Sequence, residues 1–421
     1  MSSGRIATNL GFTGLPRQIY LLIGITFTLS LGRNIAFPYL AIYLTSGASN
    51  GGLGIDPSIV GFMLMVGGLT SIAMLLVTGS LCDRVGRRKM MLIYAVPLIF
   101  LTLALSYVTS PWEFMLVYGL MGVVGAFYDP AYNAMVADLV QPSRREEVYG
   151  LCYMTNNIGT VVGPLIGGFM LATTTYSALF RVMAAFVVAV SLAIFFGIKE
   201  TNPSGAGRAQ TGIGSAGVNP FRRDRLFLSY CLLAAMTNIV YSQFYGLLSV
   251  YTEYVGMPAY EFGILYSING AMVVLLQIPI RKATMHIGST KSFMLAQTLY
   301  AVGFSTFFFS RNLSQLVVGD IILTLGEITI VPAASGFIAN LAPASQRGRY
   351  MAFASLSAGV GGSVGNYFGF KIYSLMTSKE YVWAALGAVA FLTLPGYAYM
   401  HMMEKRRLAD GARPSGGGSS T

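Results

Sequence analysis

Apolar residues occur along the chain in long runs, interrupted by short stretches that contain Gly, Pro, Asn or charged residues. A run of about 20 apolar residues forms a helix long enough to cross the roughly 30 Å hydrocarbon core of a bilayer. The pattern therefore predicts an all-α membrane protein with twelve transmembrane helices, which we call spans 1 to 12. They lie near residues 18–44, 58–81, 89–109, 112–137, 148–171, 177–198, 226–252, 259–281, 291–310, 314–339, 350–374 and 381–402.

Composition and charge agree with a membrane protein. Apolar residues make up 54% of the chain and charged residues 10%, whereas soluble domains contain about 25% charged residues. The net charge of +11 could indicate a nucleic-acid ligand, but most Lys and Arg residues lie in the termini and in the loops that follow even-numbered spans. Loops rich in Lys and Arg stay in the cytoplasm. We therefore expect an inner-membrane protein with both termini cytoplasmic and no nucleic-acid partner.

The two halves of the chain match each other at an offset of 202 residues. At this offset Gly86 aligns with Gly288 and Gly163 with Gly365, so loops and helix interiors share one register. Duplicated halves around a central site are typical of alternating-access carriers. The predicted domains are an N-terminal six-helix bundle at 1–200, a cytoplasmic linker at 201–225, a C-terminal six-helix bundle at 226–405 and a disordered tail at 406–421.

The loop between spans 2 and 3 carries a dense motif of glycines and charges, GSLCDRVGRRK at residues 79–89. Glycines permit a tight turn, and an acid beside several cations can form ion pairs that break when two halves separate. The motif resembles the loop signature of the major facilitator superfamily. That resemblance implies the superfamily fold for nearly the whole chain and a cytoplasmic gate latched by Asp83. The expected gate residues are Gly79, Asp83, Arg84, Gly86, Arg87 and Arg88, with Asp138 and Arg145 nearby.

Span 5 carries a second motif, which matches the antiporter signature of the same superfamily at every position. Small residues let helices approach closely and Pro bends a helix, so ordinary close packing is the alternative interpretation. The resemblance implies export by antiport, as in the 12-helix drug/proton antiporter group. The motif residues are Gly150, Gly159, Gly163, Pro164, Gly167 and Gly168.

Three charged residues lie well inside predicted spans: Arg33 in span 1, Asp129 in span 4 and Glu327 in span 10. Charges in the membrane interior are costly and mark functional sites by default. A carboxyl in a partly dry cavity can take up and release a proton as its hydration changes. The segment around Glu327 resembles the tenth helix of proton-coupled multidrug exporters, which implies a coupling or cation-attracting role. The alternative is a structural carboxyl hydrogen-bonded to Thr or Tyr.

Arg33 and Asp129 admit three interpretations. A buried ion pair is the simplest way to neutralise both charges. Alternatively, Asp129 is a second proton site, or Arg33 binds an anionic substrate. Span 4 also lacks the Arg that many proton-coupled exporters of the family carry there and has Tyr118 and Met121 at the candidate positions. This difference argues against drug antiport.

Aromatic and amide side chains are expected to line the substrate cavity. Aromatic walls with few hydrogen-bonding groups suit amphipathic or cationic organic molecules, although aromatic residues also occur at lipid interfaces. The candidate lining residues are Tyr39, Asn238, Tyr241, Gln243, Tyr245 and Tyr266.

The sequence predicts a secondary transporter and not an enzyme. It contains no phosphate-binding loop that ends in Gly-Lys-Ser/Thr, and no metal site or cofactor is expected. The favoured function is proton-coupled export of hydrophobic or cationic small molecules by a monomer in contact with membrane lipids. The alternatives are a symporter or facilitator for a nutrient or organic anion, anchored by Arg33, and a non-transporting membrane receptor on the same fold.

Overall fold

The computed structural model describes residues 14–201, 224–343 and 346–411, and this part of the chain is helical nearly throughout, with no strand. Most of the predicted linker and tail therefore lies outside the described residues. Spans 1 to 6 are Arg17–Ala36 continued by Leu40–Thr45, Pro57–Val85, Arg87–Leu105, Pro111–Gly125 continued by Tyr128–Leu139, Arg145–Leu171, and Tyr176–Gly197. Spans 7 to 12 are Arg225–Tyr245 continued by Leu247–Tyr254, Ala259–Thr284, Ser289–Phe309, Leu313–Leu341, Arg347–Leu375, and Tyr381–Gly411.

Ten of these spans are long and apolar enough to cross a membrane by length and composition. The two that fall short are spans 5 and 11, which the internal repeat aligns with each other. Both contain many Gly, Ser or Asn residues. Both also pack against a helix of the opposite half, so protein rather than lipid covers their less apolar faces. The all-α, twelve-helix prediction is confirmed.

Helix packing follows the internal repeat. Span 1 packs on spans 5 and 6, as span 7 does on spans 11 and 12. Span 2 packs on span 4, as span 8 does on span 10. The two halves meet mainly through two helix pairs, span 2 with span 11 and span 5 with span 8, and through a smaller contact between Leu40–Thr45 and Leu247–Tyr254. The internal repeat aligns span 2 with span 8 and span 5 with span 11, so it converts one pair into the other. One approximate twofold axis therefore relates the two halves of the bundle.

The halves are in close contact at one end of the bundle and apart at the other. We call the end that carries the 79–89 loop the motif end, and the opposite end the far end. Toward the far end, an added Cβ at Gly61 would lie 2.6 Å from Phe370 Cβ. At the motif end, an added Cβ at Gly79, Gly150 or Gly348 would have no heavy atom within 4 Å. The space between the halves is therefore open toward the motif end.

Three spans are interrupted beside this space. Span 1 tightens into a 3-10 turn at Phe37–Tyr39, where Pro38 follows Phe37. Span 4 is interrupted at Ala126 and Phe127, and span 7 at Gly246. Irregular backbone is tolerated at membrane depth only where it is buried in protein or lines a cavity. The three interruptions therefore lie where spans 1, 4 and 7 border the cavity between the halves.

Candidate functional site

A central cavity of about 830 Å³ lies between the two halves. It contains all three charged residues that sequence reasoning selected inside the spans. Its polar wall from the N-terminal half consists of Arg33, Asn34, Ser71, Tyr94, Tyr118, Tyr128, Asp129, Tyr153, Asn156, Asn157 and Thr160. The C-terminal half contributes Tyr245, Tyr266, Asn269, Glu327 and Asn366.

Arg33 and Asp129 lie on the same side of the central cavity and are both exposed to it. Arg33 acts electrostatically on Asp129, yet within the described ranges neither residue has an ion-pair partner within 4.0 Å. The buried ion pair, one of the three interpretations of these residues, is therefore not formed in this structure. Exposure to the cavity gives the physical reason, because charges that water can reach do not need a direct partner. Both charges remain available to a ligand.

Glu327 lies on the C-terminal side, half-buried. The amide nitrogen of Asn269 on span 8 donates a hydrogen bond of 3.0 Å to Glu327 Oε2, and the hydroxyl of Tyr241 also faces this carboxyl. The structure thus places Glu327 on the wall of the central cavity with its geometry held by two neighbouring spans.

A second cavity of about 300 Å³ lies inside the C-terminal half and shares Glu327 with the first. Its wall is mainly aromatic and aliphatic, with Asn238 and Tyr241 among the predicted lining residues. Sequence reasoning missed Tyr230, Phe293, Tyr300 and Tyr397, because lipid-facing helix surfaces carry aromatic residues as well. Glu327 therefore lies between a polar central cavity and an aromatic side cavity.

Two predicted lining residues lie elsewhere. Tyr39 is 1% exposed, and its hydroxyl donates a 2.5 Å hydrogen bond to the carbonyl oxygen of Pro164 in span 5. Gln243 is fully buried, with Nε2 donating to the Ile239 carbonyl oxygen at 2.9 Å. The orientation of spans 1 and 7 about their helix axes directs both side chains toward neighbouring helices, so that neither side chain lines either cavity. Tyr245 and Tyr266, by contrast, line the central cavity.

Sequence reasoning also missed a fourth charged residue inside a span, Asp320 in span 10. It is fully buried. The sequence alone could have identified it, because it is an acid within the predicted span 314–339 and lies seven positions before Glu327. The spacing of seven residues places both carboxyls on one helix face.

The predicted gate residues cluster at the motif end. Arg87 forms ion pairs with Asp83 at 3.3 Å and with Asp138 at 3.2 Å. Arg145 donates to the backbone oxygens of Ala137 and Val140. These contacts all join parts of the N-terminal half. Arg84 is exposed.

Sequence reasoning missed one acid of this cluster, Glu200. Its carboxylate accepts hydrogen bonds from the backbone amides of Arg87 and Arg88, at 2.9 and 3.1 Å, and so caps the start of span 3. Gly86 precedes these amides with φ of 100°, and an added Cβ there would lie 2.6 Å from Glu200 Oε2. A side chain at position 86 would be strained by the positive φ and would clash with the Glu200 carboxylate, so the position requires glycine.

The motif in span 5 forms two contact surfaces. Added Cβ atoms at Gly159 and Gly163 would lie 2.5 Å from Ser30 Oγ and 2.6 Å from Asn34 Cβ, so these glycines allow span 1 to approach. Gly168 faces span 8 of the opposite half. Gly150 alone among the motif glycines is exposed with no heavy atom near an added Cβ. Most of the motif therefore shapes packing around span 5.

The far end is closed by a polar contact between the halves. The hydroxyl of Ser374, at the end of span 11, donates to both carboxylate oxygens of Asp56, at 3.3 and 3.1 Å. Asp56 precedes span 2 and also accepts a 2.8 Å hydrogen bond from the Ser58 amide. Hydrogen bonding from Ser58 is the main reason that the pKa of Asp56 lies below its usual value, with smaller effects from Ser374 and Lys371.

These features define a class of protein. Two related six-helix units enclose one polar cavity that is closed at the far end and open at the motif end, which is an architecture typical of membrane transporters. The family comparison agrees with this class: the model of the Major Facilitator Superfamily matches residues 22–283 and 250–418. The chain belongs to the Major Facilitator Superfamily.

Curated relatives match most of the chain. A Na(+), Li(+), K(+)/H(+) antiporter of Planococcus maritimus is 27% identical over 413 residues, covering 89% of this chain and 94% of the relative. The multidrug resistance protein MdtH of Edwardsiella ictaluri is 28% identical over 393 residues, covering 89% and 92%. This chain is thus similar over nearly its full length to membrane transporters of the same superfamily.

Solved structures share the fold at low sequence identity. A peptide transporter POT in complex with sulfate has a TM-score of 0.78 at 17% identity and covers 94% of this chain and 96% of that one. The nucleoside transporter NupG has a TM-score of 0.73 at 14% identity and covers 91% and 98%. These likenesses establish the fold.

Proposed function

We propose that this protein is a proton-coupled antiporter that exports hydrophobic or cationic small molecules across the inner membrane by alternating access. The observation that carries the proposal is the position of Glu327, which lies between the polar central cavity and the aromatic side cavity. A carboxylate at this position attracts a cation, and aromatic faces around it stabilise an organic cation further. A proton and the cargo then compete for the same carboxyl, and this competition is what antiport requires.

Two kinds of relative support the proposal, one for exchange with protons and one for export of drug-like molecules. One relative is an antiporter that exchanges monovalent cations for protons, and others are multidrug resistance proteins. The protein would act as a monomer with both termini in the cytoplasm, so that the motif end faces the cytoplasm and the cavity loads cargo from there. In this state Arg87 pairs with Asp83 and with Asp138, all within the N-terminal half. These gate residues would engage the opposite half when the motif end closes.

A second candidate function rests on Arg33. Its guanidinium lies in the central cavity and has no ion-pair partner within 4.0 Å in the part of the chain that the structure describes. An unpaired cation in a cavity can bind the carboxylate or phosphate of an organic anion. In that case the protein would be a symporter or facilitator, and transport would depend on Arg33 rather than on Glu327.

The test is movement of ethidium, a fluorescent lipophilic cation, in proteoliposomes under an imposed pH gradient. We compare the native protein with Glu327→Gln, which preserves shape and removes charge. Two unit charges about 4 Å apart interact by about 4 kcal/mol at an effective dielectric constant of 20. Because the side chain is only partly buried and lies on the wall of an open cavity, we expect a smaller effect, an affinity loss of about 10- to 100-fold.

Gradient-driven ethidium movement that Glu327→Gln abolishes would support proton antiport. If the native protein moves no cation, or if the variant is as active as the native protein, the antiport proposal is wrong. Flux of an organic anion that depends on Arg33 would then favour the second function.

A further inference from the structure

Asp320 is a buried carboxyl that the cargo site described above does not use. None of its surface is exposed, and its Oδ2 atom has no hydrogen-bond partner within the structure's described ranges. It precedes Glu327 by seven residues, so it lies about 10 Å along span 10 toward the far end. An ionised carboxylate in such surroundings carries a large desolvation cost. An acid kept there inside a membrane helix therefore needs a functional explanation.

A line of hydrogen bonds connects Asp320 to the cavity. Asn269 Nδ2 donates to Glu327 Oε2 at 3.0 Å and to Thr324 Oγ1 at 2.9 Å. Thr324 Oγ1 in turn lies 2.7 Å from the backbone oxygen of Asp320 and 3.4 Å from its Oδ1 atom. Asp320, Thr324 and Glu327 are spaced four and three residues apart, on one face of span 10. The line begins at the cavity wall and ends at a carboxyl that solvent does not reach.

The geometry of Thr324 indicates which group in this line carries a proton. A threonine hydroxyl has one proton to donate and two lone pairs to accept with. The shorter contact assigns that proton to the Asp320 backbone oxygen, and Asn269 occupies one lone pair. The second lone pair of Thr324 is then free to accept a hydrogen bond from Asp320 Oδ1, which lies 3.4 Å away. The arrangement therefore suits Asp320 in its neutral, protonated form.

The surroundings contain few other groups that could take this proton. Glu327 is the charged residue that acts electrostatically on Asp320. Tyrosines face Glu327 from spans 7, 8 and 9, and Arg33 of span 1 acts on the tyrosine of span 8. Tyrosine ordinarily stays protonated well above neutral pH, with a pKa of about 10 in model peptides. The proton-exchanging groups of this region are thus the two carboxyls. The tyrosines are Tyr241, Tyr245, Tyr266 and Tyr300.

We propose that Asp320 is a proton-binding site that receives protons from the far side and delivers them to Glu327. When the far end opens and water enters beside Thr324, the Asp320 O–H bond breaks and its proton passes to that water, while an O–H bond of the water breaks and its proton passes to the carboxylate of Glu327. The Thr324 hydroxyl and the Asn269 amide hold the two carboxyls in place for this transfer. Asp320 is left as a carboxylate and takes a new proton from water on the far side. Glu327 carries its proton to the motif-end state and releases it to the central cavity, where a cationic cargo replaces it.

This inference rests on the proposed antiport function. It predicts that loss of the Asp320 proton site impairs coupling to the pH gradient but not binding of the cationic cargo. Asp320→Asn keeps the shape of the side chain and cannot exchange a proton. We expect ethidium binding and ethidium–ethidium exchange to remain near the native level, because Glu327 is intact. Movement driven by the pH gradient should fall by about 100-fold, the lower end of what a positioned proton-transfer group contributes. Asp224→Asn is the matched control, because Asp224 caps span 7 outside both cavities and should leave coupling unchanged.

Gradient-driven movement that persists in Asp320→Asn would overturn the relay, as would a parallel loss of binding, exchange and coupling. If Asp320→Asn does not fold, Thr324→Val tests the same line and should show the same split. Infrared spectroscopy of the purified native protein without cargo gives an independent measure. We expect a protonated-carboxyl C=O band at neutral pH that Asp320→Asn lacks, and an unchanged band would overturn the assignment. A native protein that moves no ethidium under a gradient but shows this band would count against the antiport function and not against proton binding at Asp320.

Discussion

A single methyl group added at Gly163 tests whether the glycine motif of span 5 acts through close helix packing. An alanine Cβ there would lie 2.6 Å from Asn34 Cβ and 2.8 Å from its backbone carbon. Contacts this short force spans 1 and 5 apart, and overpacking of a well-packed interior costs about 1–3 kcal/mol. Gly150, in the same motif and the same helix, has open space at the corresponding position.

The two substitutions, Gly163→Ala and Gly150→Ala, gain the same helix propensity, about 0.5–1 kcal/mol each. This gain cancels in the comparison, so the difference between the variants reports the overpacking cost alone. We expect Gly163→Ala to be less stable than Gly150→Ala by about 1–3 kcal/mol. The assay is the midpoint of heat-induced unfolding in detergent, followed as the fraction that remains monodisperse. Equal midpoints for the two variants would refute the packing interpretation of the motif.

Two further predictions concern the far-end closure and the cavity charge. Asp56→Asn should weaken the contact with Ser374 and raise the population that is open at the far end, measured by the distance between spin labels on the two halves. The pKa of Asp56 is lowered in the folded protein. Its contact with Ser374 is therefore fully present above the ordinary Asp pKa of about 3.9 and is lost only as the pH falls through the lower native pKa. A far-end closure that weakens between pH 7 and pH 5 would contradict this. Arg33→Gln should raise ethidium affinity, since it removes a like charge from the cavity, whereas Arg181→Gln, outside both cavities, should not. Unchanged ethidium affinity in Arg33→Gln would contradict this expectation, and an organic-anion flux that Arg33→Gln abolishes would favour the second function.

Features that depend on local spacing could be predicted from the chain itself. The lengths of the apolar runs predicted the spans, since the thickness of the bilayer sets helix length. The spacing of glycines and charges at 79–89 predicted the position of the motif-end cluster. Rare charges inside spans pointed to Glu327, Asp129 and Arg33, because the cost of burying a charge is independent of the fold.

The tertiary structure decided which side chains face the cavity and which charges meet. In a membrane helix the lipid-facing and protein-facing surfaces are both apolar, so the sequence pattern does not reveal rotation about the helix axis. Tyr39 and Gln243 therefore lie between helices although they were expected in the cavity, and Arg33 and Asp129 lie in a cavity wide enough to leave them unpaired. The line from Asp320 to Glu327 needs Asn269 from span 8 to complete it, and a contact between residues 58 positions apart arises only when two helices pack.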